Sequence, residues 1–311
     1  MELAVQTQGL YKYYEGQKVL NNLSLAVPAA SIFGLIGPNG AGKSTLMRIL
    51  TGISRPSQGD AFLLGRSIRE KSGSIRARVG YVPDVPTLYP SFSVADMYRL
   101  ASRLYPDWDW QRCRELQRQY ALPDGQRIRS LSRGQAVQVS LVLALSIRPH
   151  LILLDEPTAG LDPVVRQAFM QSIIEEVAER HTTIFYSTHN LNDLEQSADY
   201  IASLWQGNLL FSSSLDELKE SMGRIRMVLE DESIKPQLLE GLPGVLEIQQ
   251  SGRVHTITFQ GDASLVQAKL QTYKPLLLEK VDLSLEEIFL ILMKERGYSY
   301  ASGKSNQLET A

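Results

Sequence analysis

The sequence predicts an α/β fold in which helices cover a parallel sheet. Three short apolar runs, over 31–37, 151–154 and 183–186, are bounded by turn residues and are typical of buried strands. Helical spacing over 164–180 separates the second run from the third. Strands that are apolar on both faces and alternate with helices are typical of parallel sheets, because the connecting helices cover both faces.

The segment 86–148 has a different character and predicts a helical insertion within the α/β unit. It contains Trp108, Trp110 and several tyrosines, and none of its runs is typical of a strand. Its last apolar helix is expected to end at Pro149, because proline cannot continue a helix.

The pattern changes again after about residue 222, which predicts a second, smaller domain. Its predicted order is strand, helix, two strands, helix and strand, over 224–230, 235–241, 245–249, 254–259, 264–273 and 276–279. Ser251 and Gly252 favour a hairpin between the paired strands. Ser284 and Glu287 have the spacing of a capping box at the start of a final helix. This order matches a ferredoxin-like plait, which is an α+β fold.

The predicted domains are therefore an α/β domain over 1–221, an accessory α+β domain over 222–300 and a polar tail over 301–311 that is expected to be flexible. The helical insertion, at about 86–148, forms a subdomain of the first. The accessory domain shows no polar cluster typical of a ligand pocket, so a dimer brace is favoured over a ligand sensor.

Composition excludes several classes of function. The 32 Lys and Arg residues against 34 Asp and Glu give a net charge of −2, so no nucleic-acid partner is expected. Cys113 is the one cysteine, which excludes an intrachain disulfide and a cysteine-based metal site. The first residues lack the features of a secretory signal, and no apolar run approaches the ~18 residues that span a bilayer. The expected location is the cytoplasm.

Residues 37–45 fit the P-loop pattern G-x-x-x-x-G-K-[ST] and stand between a predicted strand and a predicted helix, as that motif requires. Its glycines let successive backbone N–H groups surround a phosphate chain. Lys43 is placed to reach the β- and γ-phosphates, and the Ser44 hydroxyl is placed for Mg²⁺. The other predicted nucleotide-binding residues of the loop are Asn39, Gly40, Ala41, Gly42 and Thr45.

Two acids follow the apolar run 151–154 at the carboxyl end of the predicted strand, where open α/β sheets bind ligands. Asp155 suits Mg²⁺, directly or through water, and Glu156 suits a general base that acts on a water in line with the γ-phosphate. His189 follows the third apolar run, and a lone histidine is more often structural than catalytic. The P-loop, the two acids and this histidine together predict nucleotide hydrolysis.

The segment Leu131-Ser132-Arg133-Gly134-Gln135 opens an almost wholly apolar helix. The free N–H groups of a helix start bind anions. Because this segment belongs to the helical insertion, we expect it to face the P-loop of a second copy rather than its own. Ser132 and the N–H of Gly134 would bind the γ-phosphate there, Gln135 would line the site and Arg133 would add positive charge.

These motifs together resemble the ATP-binding subunits of ABC transporters, particularly the ABC-2-type exporter ATPases of bacteria. Those proteins carry, in order, a P-loop, a signature like LSGGQ, a hydrophobic run that ends in Asp-Glu, a D-loop and a switch histidine. The corresponding segments of this chain are 37–45, 131–135, 151–156, 159–162 and His189. The resemblance covers about residues 2–220 and implies the P-loop NTPase fold of an ABC ATPase core. It also raises His189 to a catalytic candidate beside Glu156 and Lys43.

The resemblance implies roles for further residues. Tyr14 corresponds to the aromatic that stacks on adenine, with Tyr13 and Tyr11 as alternatives. Asp162 corresponds to the D-loop acid that crosses the dimer interface.

Two positions depart from the family pattern. Asp84 stands in the loop where the family usually has Gln, and it would meet Mg²⁺ or water. Arg133 replaces the first glycine of the signature, and its backbone N–H remains available to a phosphate if the local φ accepts a side chain.

The implied activity is hydrolysis of ATP, with Mg²⁺, by a head-to-tail dimer formed with another copy or with a second ABC ATPase. A separate membrane permease would carry the exported substrate and dock near residues 86–110, which places the chain on the inner face of the cell membrane. Two alternatives remain: a soluble ABC ATPase that acts on the ribosome or on DNA, and a regulatory cassette that binds ATP without turnover. The single cassette disfavours the first, and Glu156 with His189 disfavours the second.

Overall fold

The computed structural model describes residues 2–70, 73–230, 242 and 244–295. The chain divides into two compact units, Met1–Ser213 and Ser214–Ala311. The division lies eight residues before the boundary predicted between 221 and 222, which stays a prediction. The helix predicted over 235–241 and the tail predicted over 301–311 lie outside the described residues.

The first unit contains, in chain order, β1 (Leu3–Tyr14), β2 (Gln17–Pro28), β3 (Ile32–Ile36), α1 (Lys43–Leu50), β4 (Gln58–Leu63), β5 (Arg66–Ser67), α2 (Gly73–Arg76), β6 (Val79–Val82), α3 (Val94–Leu104), α4 (Trp110–Gln119), α5 (Arg133–Ser146), β7 (Leu151–Asp155), α6 (Pro163–Arg180), β8 (Thr183–Thr188), α7 (Leu191–Ser197), β9 (Tyr200–Trp205) and β10 (Asn208–Ser214).

A six-stranded sheet with the order β10-β9-β3-β8-β7-β6 carries the three strands predicted from apolar runs. The pairs β6–β7, β7–β8, β8–β3 and β3–β9 are all parallel. Every residue of β3, β7 and β8 is buried, as expected for strands that are covered on both faces. The predicted α/β class and parallel sheet are therefore confirmed.

A second sheet, with the order β2-β1-β4-β5, is antiparallel and was not predicted. Its buried side chains pack against α1 in the same core that covers the parallel sheet: Leu23 and Leu25 of β2 join Leu46 and Leu50 of α1 and Leu35 of β3. The P-loop between β3 and α1 is thus fixed between the two sheets.

The helical insertion predicted over 86–148 contains α3, α4 and α5, and a short 3₁₀ helix spans Ile128–Ser130. Most residues of α5 after its first turn are buried, which explains why its sequence is apolar on all sides. Ser93 begins α3 with a capping box, because its hydroxyl accepts from the N–H of Asp96 while the Asp96 carboxylate accepts from the N–H of Ser93.

The second unit contains α8 (Leu215–Glu220), β11 (Met222–Val228), β12 (Val245–Ser251), β13 (Val254–Gln260), α9 (Ala263–Gln271), β14 (Leu277–Val281) and α10 (Leu285–Glu295). Its sheet has the order β12-β13-β11-β14 with antiparallel pairs. The predicted capping box at Ser284 is present, with the N–H of Glu287 donating to the Ser284 hydroxyl over 3.3 Å. The ferredoxin-like plait stays a prediction.

Within the residues that the structure describes, no helix has both the length and the apolar character needed to cross a membrane.

Candidate active site

The loop between β3 and α1 has the backbone conformation of an anion cradle. Gly37, Gly40 and Gly42 adopt φ values of +155°, +80° and +107°, of which the last two lie well within the left-handed region that favours glycine. A methyl group on Gly42 would lie 2.7 Å from Cδ2 of Leu20. No side chain caps α1 at Gly42, so the free N–H groups of its first turn are available to an anion.

The ammonium group of Lys43 is buried beside this loop. Its Nζ donates to the carbonyl oxygens of Gly37 at 2.7 Å and of Pro38 at 3.3 Å. It also lies 3.2 Å from Oε1 of Glu156. That contact is an ion pair without hydrogen-bond alignment, since Oε1 has no hydrogen-bond partner among the described residues. Lys43 thereby places a positive charge between the phosphate cradle and the predicted base.

Asp155, the last residue of β7, is buried and held by two hydroxyl groups. Ser44 at the start of α1 donates to its Oδ1 over 3.1 Å, and Ser187 of β8 donates to the same oxygen over 2.7 Å. Burial raises the pKa of Asp155, whereas these two hydrogen bonds lower it. The hydroxyl of Ser44 and the carboxylate of Asp155 form the set of hard oxygen donors that Mg²⁺ prefers.

Glu156 follows β7 with a φ of +48°, in the left-handed region that is strained for a residue with a side chain. Its Oε2 lies 2.7 Å from Nδ1 of His189, the residue that follows β8. The N–H of His189 also donates to Oε2 over 3.3 Å. Glu156 is mostly buried, with 12% of its side chain exposed, while 61% of the His189 side chain is exposed. The histidine therefore covers the carboxylate from the solvent side.

The predicted loop residue Asp84 and the signature residue Arg133 meet directly. Nη2 of Arg133 donates to Oδ1 of Asp84 over 3.0 Å, and about half of each side chain is exposed. The sequence predicts that Arg133 lies near an anion of the second copy. In this structure its guanidinium group binds a carboxylate of its own chain.

The remaining signature residues form the start of α5. Ser132 is the N-cap: its hydroxyl accepts from the N–H of Gln135 over 3.2 Å, and the Gln135 side chain accepts from the N–H of Ser132 over 3.0 Å. Ser132 is exposed and Gly134 is half-buried in the first turn. No hydrogen bond or ion pair of the described residues joins 132–135 to the P-loop at 37–45.

Asp162 and Tyr14 lie outside the group around Glu156. Asp162 is exposed and caps α6, accepting from the N–H groups of Val164 and Val165 at 3.1 and 3.0 Å. Tyr14 ends β1 with 42% exposure. The Lys12 ammonium lies 4.6 Å from the centre of its ring, and its hydroxyl lies 3.4 Å from Oγ of Ser54.

Sequence reasoning missed two groups that support the site. Ser187 is the register partner of Asp155 across β7 and β8. Thr158, two residues after Glu156, contacts Tyr186 at 2.8 Å and Asp193 at 3.1 Å, which ties the loop after β7 to β8 and α7. Once the strand order was known, Ser187 could have been found by looking for a hydroxyl on the strand adjacent to Asp155.

The structure thus brings Lys43, Ser44, Asp155, Glu156 and His189 together at the carboxyl edge of the parallel sheet. A cradle of backbone amides with one lysine suits a triphosphate, and a carboxylate fixed by a histidine suits activation of water. The arrangement has the groups needed to hydrolyse a nucleoside triphosphate.

Comparison with known proteins agrees with this geometry. Residues 20–159 match the family described as ABC transporter. The chain is 32% identical over 286 residues to the ABC transporter ATP-binding protein YtrB of Bacillus subtilis, covering 92% of this chain and 97% of that protein. It is 32% identical over 227 residues to the Nod factor export ATP-binding protein I of Cupriavidus metallidurans, covering 71% and 74%. A solved structure of an ATP-binding subunit of an ABC transporter superposes with a TM-score of 0.64 at 27% identity, covering 70% of this chain and 92% of that one.

Proposed function

The chain belongs to the ATP-binding subunits of ABC transporters, of the ABC-2 exporter type, and on that basis we propose that it powers export of a substrate through a separate membrane permease. It is an ATPase of this family. The observation that carries the hydrolytic part of the proposal is the Glu156 carboxylate, held between Lys43 and His189 at the end of β7. The export direction is supported by the likeness to a Nod factor export ATP-binding protein.

We propose that the P-loop binds the triphosphate of ATP through its backbone N–H groups and Lys43. A bound phosphate would share the Lys43 ammonium with the carbonyl groups and the carboxylate that already contact it. Because this ammonium is buried, its attraction to a phosphate is screened less than that of a surface lysine.

Mg²⁺ fits the oxygen atoms at the start of α1 and the end of β7. Ser44 and Asp155, joined at 3.1 Å, would hold it, and Asp84 would contribute through water. When bound, the ion neutralises charge that develops on the phosphate oxygens. The Asp155 carboxyl must be ionised for this role: burial raises its pKa, and the hydrogen bonds from Ser187 and Ser44 oppose that shift.

Glu156 is the general base of the proposed reaction, and His189 positions it. The Nδ1 contact at 2.7 Å and the N–H at 3.3 Å both reach Oε2, which fixes the orientation of the carboxylate. Glu156 would then accept the proton of the attacking water while His189 faces the γ-phosphate from the exposed side.

We infer that the hydrolytic assembly is a head-to-tail dimer, with another copy or with a second ABC ATPase. The exposed N-terminus of α5, capped by Ser132, is the surface that would meet the γ-phosphate bound by the partner. Asp162 lies on an exposed surface beside Val164, of which 76% is exposed, and suits the same interface.

Tyr14 is proposed to stack on adenine. Because Lys12 covers one face of the ring at 4.6 Å, the base would use the other face. A cation on one side of the ring does not hinder stacking on the opposite side.

An apolar groove in the helical insertion suits the permease. It is a cavity of about 350 Å³ between α3, α5 and the loop after β6, and Tyr89 and Leu104 on its rim are 57% and 66% exposed. We propose that an apolar cytoplasmic segment of the permease binds there, which would hold the chain on the inner face of the membrane.

The proposal is tested by sequencing the reading frames that neighbour the gene of this chain and co-expressing the chain with a membrane protein that they encode. The chain should be recovered with the membrane fraction, and Leu104→Glu in the groove should release it. Ile174→Glu on the exposed side of α6 is the matched control and should have no effect. Recovery of the unaltered chain in the soluble fraction alone would contradict a transport role.

A further inference from the structure

Two residues that depart from the family pattern bind each other in this structure. Asp84 stands where Gln is usual and Arg133 stands where glycine is usual, and their side chains form an ion pair at 3.0 Å across 49 positions of sequence. If only one of the two positions departed from the family pattern, its charged side chain would lack this partner. The pair therefore links the loop after β6 to the N-terminus of α5.

The guanidinium group of Arg133 also lies beside the loop that follows β7. A methyl group on Gly160 would be 3.5 Å from Nη1 of Arg133. One side chain thus reaches both loops that flank the site of Asp155 and Glu156.

Asp84 lies at the same edge of the sheet as Asp155, because β6 and β7 pair in parallel with Val82 opposite Leu154. While Asp84 binds Arg133, part of its charge is neutralised, and its oxygen is directed to the guanidinium group rather than to a metal or water.

We propose that the Asp84–Arg133 pair is a latch that the γ-phosphate of ATP on a second subunit opens. Arg133 exchanges the carboxylate of its own chain for the phosphate presented to α5 across the dimer interface. This exchange frees Asp84 to face the metal-binding oxygens of its own subunit, so closure of the dimer completes both sites together. The latch rests on the proposed dimeric function and adds the regulation of that site.

The strength of the pair suits an exchange of this kind. Both side chains are about half exposed, 51% for Arg133 and 46% for Asp84, so water screens their attraction. A phosphate carries more charge than a carboxylate and accepts more than one hydrogen bond from the guanidinium fork. The pair therefore raises the ATP concentration that dimer formation requires but does not prevent dimer formation.

The test measures ATP-dependent dimerisation of the full chain carrying Glu156→Gln, which removes the proposed base. Sedimentation at rising Mg-ATP gives the ATP concentration at half-dimerisation. It is measured for this parent, for the parent with Asp84→Asn, for the parent with Arg133→Gln and for the parent with both changes. Asp84→Asn keeps the shape of the side chain and removes the charge that holds Arg133. It should lower the half-dimerisation concentration about two- to fivefold, the range expected for loss of one exposed ion pair.

The same Asp84→Asn change should not lower the half-dimerisation concentration when Arg133 is already Gln, because no latch is left to open. An equal shift with and without Arg133, or a rise in the half-dimerisation concentration, would overturn the latch and leave the dimer intact. A parent that stays monomeric at saturating Mg-ATP would overturn the dimer, and the latch with it. The two failures are therefore distinguishable.

Discussion

Nδ1 of His189 lies 2.7 Å from Oε2 of Glu156, which joins the loop after β8 to the loop after β7. β8 lies between β3 and β7 in the sheet, and β3 leads into the P-loop. Three neighbouring parallel strands therefore deliver Lys43, Glu156 and His189 to one edge of the sheet. The carboxylate contacts the lysine through Oε1 and the histidine through Oε2, so its orientation is fixed from both sides.

The first prediction is that Glu156 and His189 act as one unit in hydrolysis. His189→Ala should lower kcat by about 100-fold and Glu156→Gln by about 100-fold or more, because a positioned general base contributes roughly 10²–10⁴ in rate. The double variant should be no slower than Glu156→Gln alone, since residues that act together are not additive. Phosphate release under saturating Mg-ATP measures all three.

Glu179→Gln, on the exposed face of α6, is the control for loss of a carboxylate and should leave kcat unchanged. If the double variant lost the product of the two single effects, His189 would act on the substrate independently of Glu156, and its role in positioning the base would be wrong.

The residues of this edge were predictable because they lie at the ends of strands, or in the loops after strands, that are mostly apolar and buried throughout. Because β3, β7 and β8 are buried at every position, their residues are restricted mainly to apolar side chains and buried hydroxyls. Once these strands are parallel, their carboxyl ends meet, and the residues after them are neighbours.

The antiparallel sheet could not be found in the same way. β1 mixes buried with partly exposed positions, and its pairing with β2 shifts register at several points, which disrupts a regular alternation. Contacts such as Asp84–Arg133 were also beyond sequence reasoning, because they join positions 49 residues apart with no local pattern. The pairing of Ser187 with Asp155 required the strand register.

The second prediction concerns Ser132, whose hydroxyl caps α5. Ser132→Ala should lose about 1 kcal/mol of stability through the cap. It should also lower ATP turnover about 100-fold, because removal of one hydrogen-bond donor to a reacting oxyanion costs an enzyme about this much. The ATP affinity of the isolated subunit should stay the same, because the hydroxyl contacts Gln135 and not its own P-loop. Urea unfolding, phosphate release and nucleotide titration below the dimer concentration separate these effects.

Ser93→Ala is the matched control, because Ser93 caps α3 with a capping box of the same kind. It should lose a similar amount of stability and keep its turnover. A large loss of ATP affinity in isolated Ser132→Ala subunits would instead place this serine in the site of its own chain.

The third prediction is that the second unit loses stability in mild acid through His255. This residue of β13 is 1% exposed, and its Nδ1 has no hydrogen-bond partner among the described residues. Burial lowers the pKa of His255, so the unfolded chain takes up a proton at a pH where the folded unit does not. The stabilisation that comes from keeping His255 neutral is present above the pKa of about 6.5 that histidine has in the unfolded chain. It is lost as the pH falls through that value.

Hydrogen exchange of the β11 and β13 amides at pH 7.5 and 5.5, corrected for intrinsic rates, measures this loss. His255→Phe keeps a buried ring without a titrating group and should reduce the difference between the two pH values. His181→Gln, an exposed position of the first unit, should leave the difference in the second unit unchanged. Equal pH dependence of His255→Phe and the unaltered chain would assign the effect to other groups.

The fourth prediction concerns a buried ion pair that fastens α4 of the helical insertion to α6. Glu176 is fully buried, and Nη2 of Arg112 donates to its Oε2 over 3.3 Å. Burial raises the pKa of Glu176, whereas Arg180 and Arg112 lower it. Arg112→Met should therefore cost about 3–5 kcal/mol of unfolding free energy, because it leaves a buried carboxylate without its closest cation.

Arg112→Met combined with Glu176→Leu should recover much of this loss, since an apolar pair of similar volume avoids the desolvation of both charges. Arg99→Met, which removes the exposed pair with Asp96 on α3, is the control and should cost less than about 1 kcal/mol. Urea midpoints of the four proteins measure these differences. If Arg112→Met cost no more than Arg99→Met, the remaining contacts of Glu176 with Arg180 at 3.8 Å and Thr182 at 3.4 Å would be sufficient to hold its charge. The helix α4 would then be held to α6 by packing and by the hydrogen bond from Gln119 to Ser172.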